Sequence, residues 1–308
     1  MDSSHFVQVT DRLRKTLAET VVARQEVLDL VIAGLFAGGH VLLIDVPGVG
    51  KTLLAKTLAL SLGARFQRIQ CTSDLLPADI TGGAIFNQKV GAFEFSPGPI
   101  FAHVVLADEI NRATPRTQSA LLEAMGERQV TADGTTYPLP QPFFLIATQN
   151  PVEAHGTFPL PEAELDRFIL SASLGYPPHD QALRVLQLDE RAPTDVTAVL
   201  PIEEVLACQR WVRAVAVMEQ VRDYIVSLAE ATRGDPRVAL GPSPRATVDL
   251  QRMGQAWAGL TGRDFATPDD VKAVAVAVLG HRLMLEFQSE TSSAAIIGEI
   301  LQQVPVPL

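Results

Sequence analysis

A lysine–threonine pair, two adjacent acids and two arginines stand out in this sequence as residues whose types and spacing suit chemistry on a polyphosphate. Lys51 and Thr52 close the segment Asp45-Val46-Pro47-Gly48-Val49-Gly50-Lys51-Thr52. An apolar run, 41–44, precedes it and an apolar helical segment, 53–62, follows it. Strand, Gly-containing loop, Lys-Thr and helix together form the Walker A arrangement. In such a loop the backbone N–H groups of residues 48–51 turn inward and, with the helix N-terminus, hold phosphate oxygens. Lys51 is expected to neutralise the β- and γ-phosphates of ATP, and the Thr52 hydroxyl to ligate Mg²⁺. Pro47, Gly48, Val49, Gly50, Lys51, Thr52 and Leu53 are the predicted nucleotide contacts. The general pattern opens on glycine, whereas this chain has Asp45; the expectation is that Asp tolerates the unusual backbone angles of the turn.

The second group is His103-Val104-Val105-Leu106-Ala107-Asp108-Glu109, an apolar run ending in two acids. A strand that delivers carboxylates at its C-terminal end points them into the crevice where open α/β sheets bind ligands. Asp108 suits the Mg²⁺ shell, and Glu109 suits orientation and polarisation of the attacking water. Arg245 lies in Gly241-Pro242-Ser243-Pro244-Arg245-Ala246, where Ser243 reads as an N-cap. That places Arg245 in a first helical turn, where the helix dipole disfavours a cation and a bound triphosphate would explain one.

These groups need elements to hold them. Apolar runs at 41–44, 66–70, 104–107, 143–147 and 168–171 alternate with helical segments up to about residue 176, which predicts a parallel sheet covered on both faces. Thr114-Pro115 predicts the start of a helix through Met125. Tyr176-Pro177-Pro178 reads as a linker. Beyond it, 202–217, 221–232, 245–258 and 269–279 have helical character with no strand run, and Thr267-Pro268-Asp269-Asp270 is another helix start. The fold class is therefore α/β, a P-loop core over residues 1–178, followed by a smaller all-α domain over 179–308. His281-Arg282 reads as a polar helix end.

Composition removes other classes. The chain of 308 residues is 47% apolar and 19% charged, which fits a folded protein. Its net charge of −10 gives no bulk attraction for nucleic acid. Two cysteines, Cys71 and Cys208, stand far apart with no neighbouring ligands, against a disulfide framework or a zinc site. The N-terminus lacks an apolar signal core, and the longest uncharged stretch, between Asp29 and Asp45, is too short to span a membrane. The expected location is the cytoplasm, with no membrane partner.

Longer strings carry a resemblance. Leu106 to Ala113, Gln118 to Met125, Ala147-Thr148-Gln149-Asn150-Pro151, Gly156 to Glu162 and Ser243-Pro244-Arg245 are similar to the MoxR family of AAA+ ATPases, as is the opening Asp45-Val46-Pro47-Gly48. The resemblance implies that the all-α domain is a lid. Asn150 takes the sensor 1 role against the water or γ-phosphate, its amide able to donate and accept. Arg245 takes the sensor 2 role. Arg167, in Glu162-Ala163-Glu164-Leu165-Asp166-Arg167-Phe168, resembles an arginine finger facing the neighbouring subunit's nucleotide; an intramolecular pair with Asp166 or another acid is the alternative. A trans finger implies head-to-tail contacts that close into a homo-oligomeric ring, a hexamer. The resemblance also implies two hairpins, one between about 74 and 95 with its tip at 87–91, and one over 130–137 with an Asp133-Gly134 turn. It further implies chaperone-like work on client protein complexes, extending to metal-cofactor insertion, with a partner bearing a von Willebrand A-type domain. The alternatives are a nucleic-acid motor, which the sparse basic residues at the hairpin tips disfavour, a dedicated chelatase motor subunit, and a scaffold that binds nucleotide without hydrolysing it.

Overall fold

The computed structural model describes residues 1–307 other than 90, 133, 153–155, 189–195 and 288–290. Helices α1 (Ser3–Thr20) and α2 (Gln25–Ala37) lead into strand β1 (Val41–Ile44), helix α3 (Lys51–Ser61) and strand β2 (Phe66–Gln70). One helical turn, α4 (Pro77–Thr81), opens onto a hairpin of β3 (Gly82–Asn87) and β4 (Ala92–Pro97). Strand β5 (Val104–Asp108) and helix α5 (Pro115–Glu127) come next, then a second hairpin, β6 (Gln129–Ala132) and β7 (Thr135–Pro138). Strand β8 (Phe144–Gln149), the short α6 (Glu162–Leu165) and β9 (Leu170–Ala172) complete the α/β half. The remainder holds α7 (His179–Leu188), α8 (Ile202–Ala214), α9 (Glu219–Gly234), α10 (Pro244–Leu260), α11 (Pro268–Leu279) and α12 (Ser293–Gln303).

The central sheet is wholly parallel, in the order β2-β5-β8-β1-β9. All five residues of β5 are buried, which is why the four ahead of Asp108 are continuously apolar. Strand β2 lies at the sheet edge, and its Phe-Gln-Arg-Ile-Gln sequence is mostly polar with only Ile69 buried, so the expectation of an apolar strand fails there. The order places the C-terminal ends of β1, β5 and β8 side by side.

The C-terminal part is helical but not wholly so. Two pairs of very short strands, β10 (Ala216–Val217) with β12 (Phe265–Ala266) and β11 (Val238–Leu240) with β13 (Met284–Leu285), staple its loops. The helix expected over 202–217 stops at Ala214 because the next residues join one of these pairs. Helix α11 starts where predicted, and the Asp270 carboxylate accepts from Thr267 N at 2.8 Å and from Arg263. At α5, by contrast, Thr114 spends its hydroxyl on Thr117 and not on a backbone N–H. Both expected hairpins are present; the tip residue Val90 and the turn residue Asp133 lie outside the described residues, and Gly134 has φ +75°.

Helix α1 joins the two halves. Phe6, Val9, Leu13 and Leu17 recur at helical spacing and are fully buried. Phe6 stacks on Trp211 of α8 at 4.4 Å and meets Phe36 of α2 edge-on at 5.3 Å. Among the described residues no helix is long and apolar enough to cross a membrane.

Candidate active site

The loop between β1 and α3 has the backbone a phosphate cradle requires. Gly48 and Gly50 sit at φ +85° and +94°, where a side chain would be strained, and nothing lies within 4 Å of where their Cβ atoms would stand. They face, with Pro47, Val49 and Leu53, a cavity of about 1050 Å³ closed by Arg12 and Lys15 of α1, by Tyr176 and Pro177, and by α7. Lys51 Nζ donates to Asp45 O at 2.7 Å and Val46 O at 3.0 Å, which curls the loop around the ammonium. Burial lowers the Lys51 pKa, while Asp45, Asp108 and Glu109 raise it in return.

Asp45 does not serve the turn's backbone as expected: the left-handed positions are Gly48 and Gly50. Its buried carboxylate accepts from Leu174 N at 2.5 Å, Ser173 Oγ at 3.1 Å and Gly175 N at 3.3 Å. The departure from glycine ties the loop to the chain leaving β9.

The two acids are held by neighbours in the sheet. Thr148 of β8 donates its hydroxyl to Asp108 Oδ1 at 2.7 Å and accepts from Glu109 N at 2.8 Å. Arg68 of β2 donates to Asp108 Oδ2 from Nε at 3.1 Å and Nη2 at 2.5 Å. Glu109 Oε2 accepts from Gln70 and Arg112, each at 3.1 Å. Glu109 itself stands at φ +57°, an uncommon angle for a non-glycine residue and one that tends to mark working sites. Asn150 is buried at the end of β8; its Oδ1 accepts from Val152 N at 3.1 Å, forming the side-chain turn that Asn-Pro sequences favour. A Thr hydroxyl and one carboxylate completed by phosphate oxygens is a donor set that suits Mg²⁺, so Thr52 and Asp108 fit that ion.

The two arginines lie elsewhere, together. Arg167 and Arg245 line a second pocket of about 310 Å³, along with Arg128, Arg213, Arg252 and Asp249. Arg167 pairs with Glu164 at 3.0 Å and donates to Leu122 O at 3.0 Å, so the intramolecular alternative is realised within this chain. Arg128 donates only to Gly38 O, and Arg213 and Arg245 have no ion pair or donated hydrogen bond among the described residues. Arg252 is 4.0 Å from Asp249, whose carboxylate is taken at 2.6 Å by Arg282. In a chain of net charge −10, five guanidinium groups converge on one concavity with little local compensation, which is the electrostatic form of an anion site. Ser243 caps α10 as expected, accepting from Ala246 N.

The sequence reading missed Arg68, Gln70 and Arg282. The first two stand at i and i+2 on β2, one face of an edge strand, and that alternation is the signal that could have found them. Arg282 is not a polar helix end but a buried hub, and no local spacing announces it.

Residues 40–170 match the family described as "ATPase family associated with various cellular activities (AAA)", and residues 230–300 match the AAA lid domain. The uncharacterized protein YeaC of Bacillus subtilis is 48% identical, the match covering 94% of this chain and 92% of that protein. The chaperone MoxR1 of Mycobacterium tuberculosis is 38% identical over 98% of this chain and 83% of its own length. A crystal structure of a Cytophaga hutchinsonii protein superposes with a TM-score of 0.92 at 37% identity, covering 99% of this chain and 97% of that one.

Proposed function

Because this chain belongs to the MoxR family of AAA+ ATPases, we propose that it hydrolyses ATP at the interfaces of a homo-oligomeric ring, a hexamer, and uses the cycle to remodel partner protein complexes in the cytoplasm. The observation that carries this reading is the separation of the site into two halves. The cradle residues Pro47–Gly50 and Leu53 face one cavity, while Arg167 and Arg245 face another. Neither half is sufficient for phosphoryl transfer, and head-to-tail packing of copies brings one subunit's arginines to the next subunit's cradle.

In this reading the backbone N–H groups of 48–51 and Lys51 hold the β- and γ-phosphates. Asp108 and Thr52 hold Mg²⁺, which when bound neutralises charge developing between those phosphates. Glu109 orients and polarises the water, with Asn150 beside it. Arg167 and Arg245 stabilise the charge of the transferred group from across the boundary. The client side rests on the first hairpin, where Ile85, Phe86 and Phe93 are exposed and the two phenylalanines pack at 5.3 Å. Such a surface suits polypeptide better than a phosphate backbone. Partners with a von Willebrand A-type domain, and clients that receive a metal cofactor, follow from the family resemblance.

The test is ATP turnover against protein concentration for the wild type, Glu109→Gln and Arg167→Ala. Specific activity that rises with concentration and collapses in both variants supports a composite site. Full activity in Arg167→Ala removes the trans finger and the ring argument with it.

A further inference from the structure

We propose that Arg282 is a positioning residue that locks Arg167 and Arg245 into a single trans-acting unit; this rests on the reading that both arginines serve the neighbouring subunit. Arg282 ends a 3-10 turn, Gly280–Arg282, directly after α11. Its side chain is 2% exposed. Nη2 donates to Asp166 O at 3.0 Å and to Phe168 O at 2.9 Å, the two carbonyls that bracket Arg167. The same nitrogen meets Asp249 Oδ2 at 2.6 Å, Nε lies 3.0 Å from Asp166 Oδ1, and Nη1 donates to Val278 O.

Asp166 extends the grip to the second arginine. Its carboxylate accepts from Ser243 Oγ at 2.9 and 2.8 Å, and Ser243 is the N-cap of α10, two residues before Arg245. Asp249 stands four residues after Arg245, on the same face of that helix. The guanidinium thus holds the finger loop by its backbone and the lid helix by a carboxylate one turn beyond Arg245. His281 adds a bond: its Nε2 lies 3.0 Å from Phe168 O, and burial holds the ring neutral, so Nε2 carries the proton.

A plain salt bridge would not need this shape. Arg presents donors in a fixed planar fork, and here Nη2 sits against Asp166 O, Phe168 O and Asp249 Oδ2 while Nη1 reaches Val278 O and Nε faces Asp166 Oδ1, on segments 83 residues apart from Asp166 to Asp249. A lysine ammonium keeps the charge at one point but cannot also reach Val278 O and the Asp166 carboxylate, so the finger loop and the lid helix are no longer held by one rigid group. The consequence is that the lid cannot move without carrying the finger, so the two arginines meet the neighbour's phosphates together or not at all.

The test measures turnover at saturating ATP for Arg282→Lys, Ser243→Ala and Arg167→Ala, each alone and each mixed with an equal amount of Glu109→Gln. A Glu109→Gln subunit lends an intact arginine face to its neighbour but does not itself turn over. For Arg282→Lys we expect an unchanged KM for ATP and a fall in kcat of about tenfold or more, as a misplacement near 1 Å produces. On mixing, up to about half of wild-type turnover per Arg282→Lys subunit should return, because half of its neighbours now supply a correctly set pair. Ser243→Ala removes the tie to Asp166 together with the N-cap bond to Ala246 N and should lose about threefold, the worth of one modest hydrogen bond at the phosphate-facing arginines, with the same recovery. If Arg282→Lys does not fold, Ser243→Ala carries the test, and wild-type turnover in it overturns the proposal. So does wild-type turnover in a folded Arg282→Lys. A loss that Glu109→Gln does not repair, while it repairs Arg167→Ala, makes Arg282 a residue of its own subunit's stability and also overturns the proposal. Failure to repair Arg167→Ala itself refutes the trans reading beneath it.

Discussion

Replacing Asp45 by glycine restores the residue that phosphate loops of this kind usually carry, yet it is expected to weaken this protein. Asp45 is 5% exposed and accepts from Leu174 N, Ser173 Oγ and Gly175 N. Leu174 is buried, so its N–H would be left without a partner, at about 2–3 kcal/mol for a donor that had faced a charged acceptor. Ser173 is exposed and Gly175 half-buried, so both can turn to water, and each loses roughly 0.5–1 kcal/mol. Glycine adds about 0.5–1 kcal/mol of backbone entropy. Relief from burying a carboxylate offsets part of this, since desolvation of a buried ion costs several kcal/mol even when it is partnered. The net expectation is a destabilisation of about 3 kcal/mol, or a Tm lower by roughly 6–12 °C at 2–4 °C per kcal/mol.

Two controls isolate the cause. Ser173→Ala should cost only about 1 kcal/mol, and a double-mutant cycle with Asp45→Gly should return a coupling of similar size. ATP binding supplies the second readout. Asp45 is the leading influence that raises the Lys51 pKa against burial, so its removal lowers that pKa further, and ATP affinity should fall off at a lower pH than in the wild type. Thermal unfolding together with nucleotide titration across alkaline pH measures both. An Asp45→Gly protein with a Tm within 2 °C or so of wild type would refute the account.

Three further outcomes follow. Burial, followed by Arg128 for one and Arg282 for the other, pushes both His40 and His281 down from 6.5 to about 3. The unfolded chain takes up these protons below about pH 6.5 while the native chain stays neutral, so their contribution is full above that pH and is lost on acidification towards about pH 3, at up to roughly 1.4 kcal/mol per pH unit per histidine. Tm measured from pH 7.5 to 5 should fall, and less steeply in His281→Gln. Gln70→Ala frees Glu109 from one of its two side-chain donors and should raise turnover by up to about fivefold, the worth of one hydrogen bond; unchanged turnover would mean that Gln70 does not restrain Glu109. Gly126→Ala should change stability by no more than about 1 kcal/mol, the helix gain being offset by the lost Arg167 bond to Leu122 O, yet cut turnover about tenfold, because the new Cβ would stand 2.6 Å from Arg167 Nη1 and displace the guanidinium. A folded variant with no loss of turnover would separate Arg167 from the chemistry.

The cradle and the two acids were legible because each is written in one short stretch whose local geometry does the positioning. Strand β1, the glycines at φ +85° and +94°, and the start of α3 occupy consecutive residues, as do β5 and its terminal acids. What holds those residues was not legible. Arg68 and Thr148 reach Asp108 from 40 residues away on either side, through strand neighbours that only the order β2-β5-β8 creates. Even where the departure from pattern was visible, at Asp45, its reason lay in residues 173–175, beyond the reach of any turn preference.

The arginines show the same division at a larger scale. Arg245 was marked as anomalous by a local rule, a cation in a first helical turn, and the anomaly is real: it has no ion pair among the described residues. The rule could not say where the compensating anion would come from. The fold places Arg245 beside Arg167, around a pocket apart from the chain's own phosphate loop. A lone guanidinium on an acidic chain could be a solvated surface group; five around one concavity, two of them tied through Asp166 and Asp249 to one buried Arg282, form a costly arrangement for an isolated subunit. That cost is recovered only when an anion from outside the chain enters the pocket. On the proposed ring, the most economical source of that anion is the nucleotide of an identical neighbour.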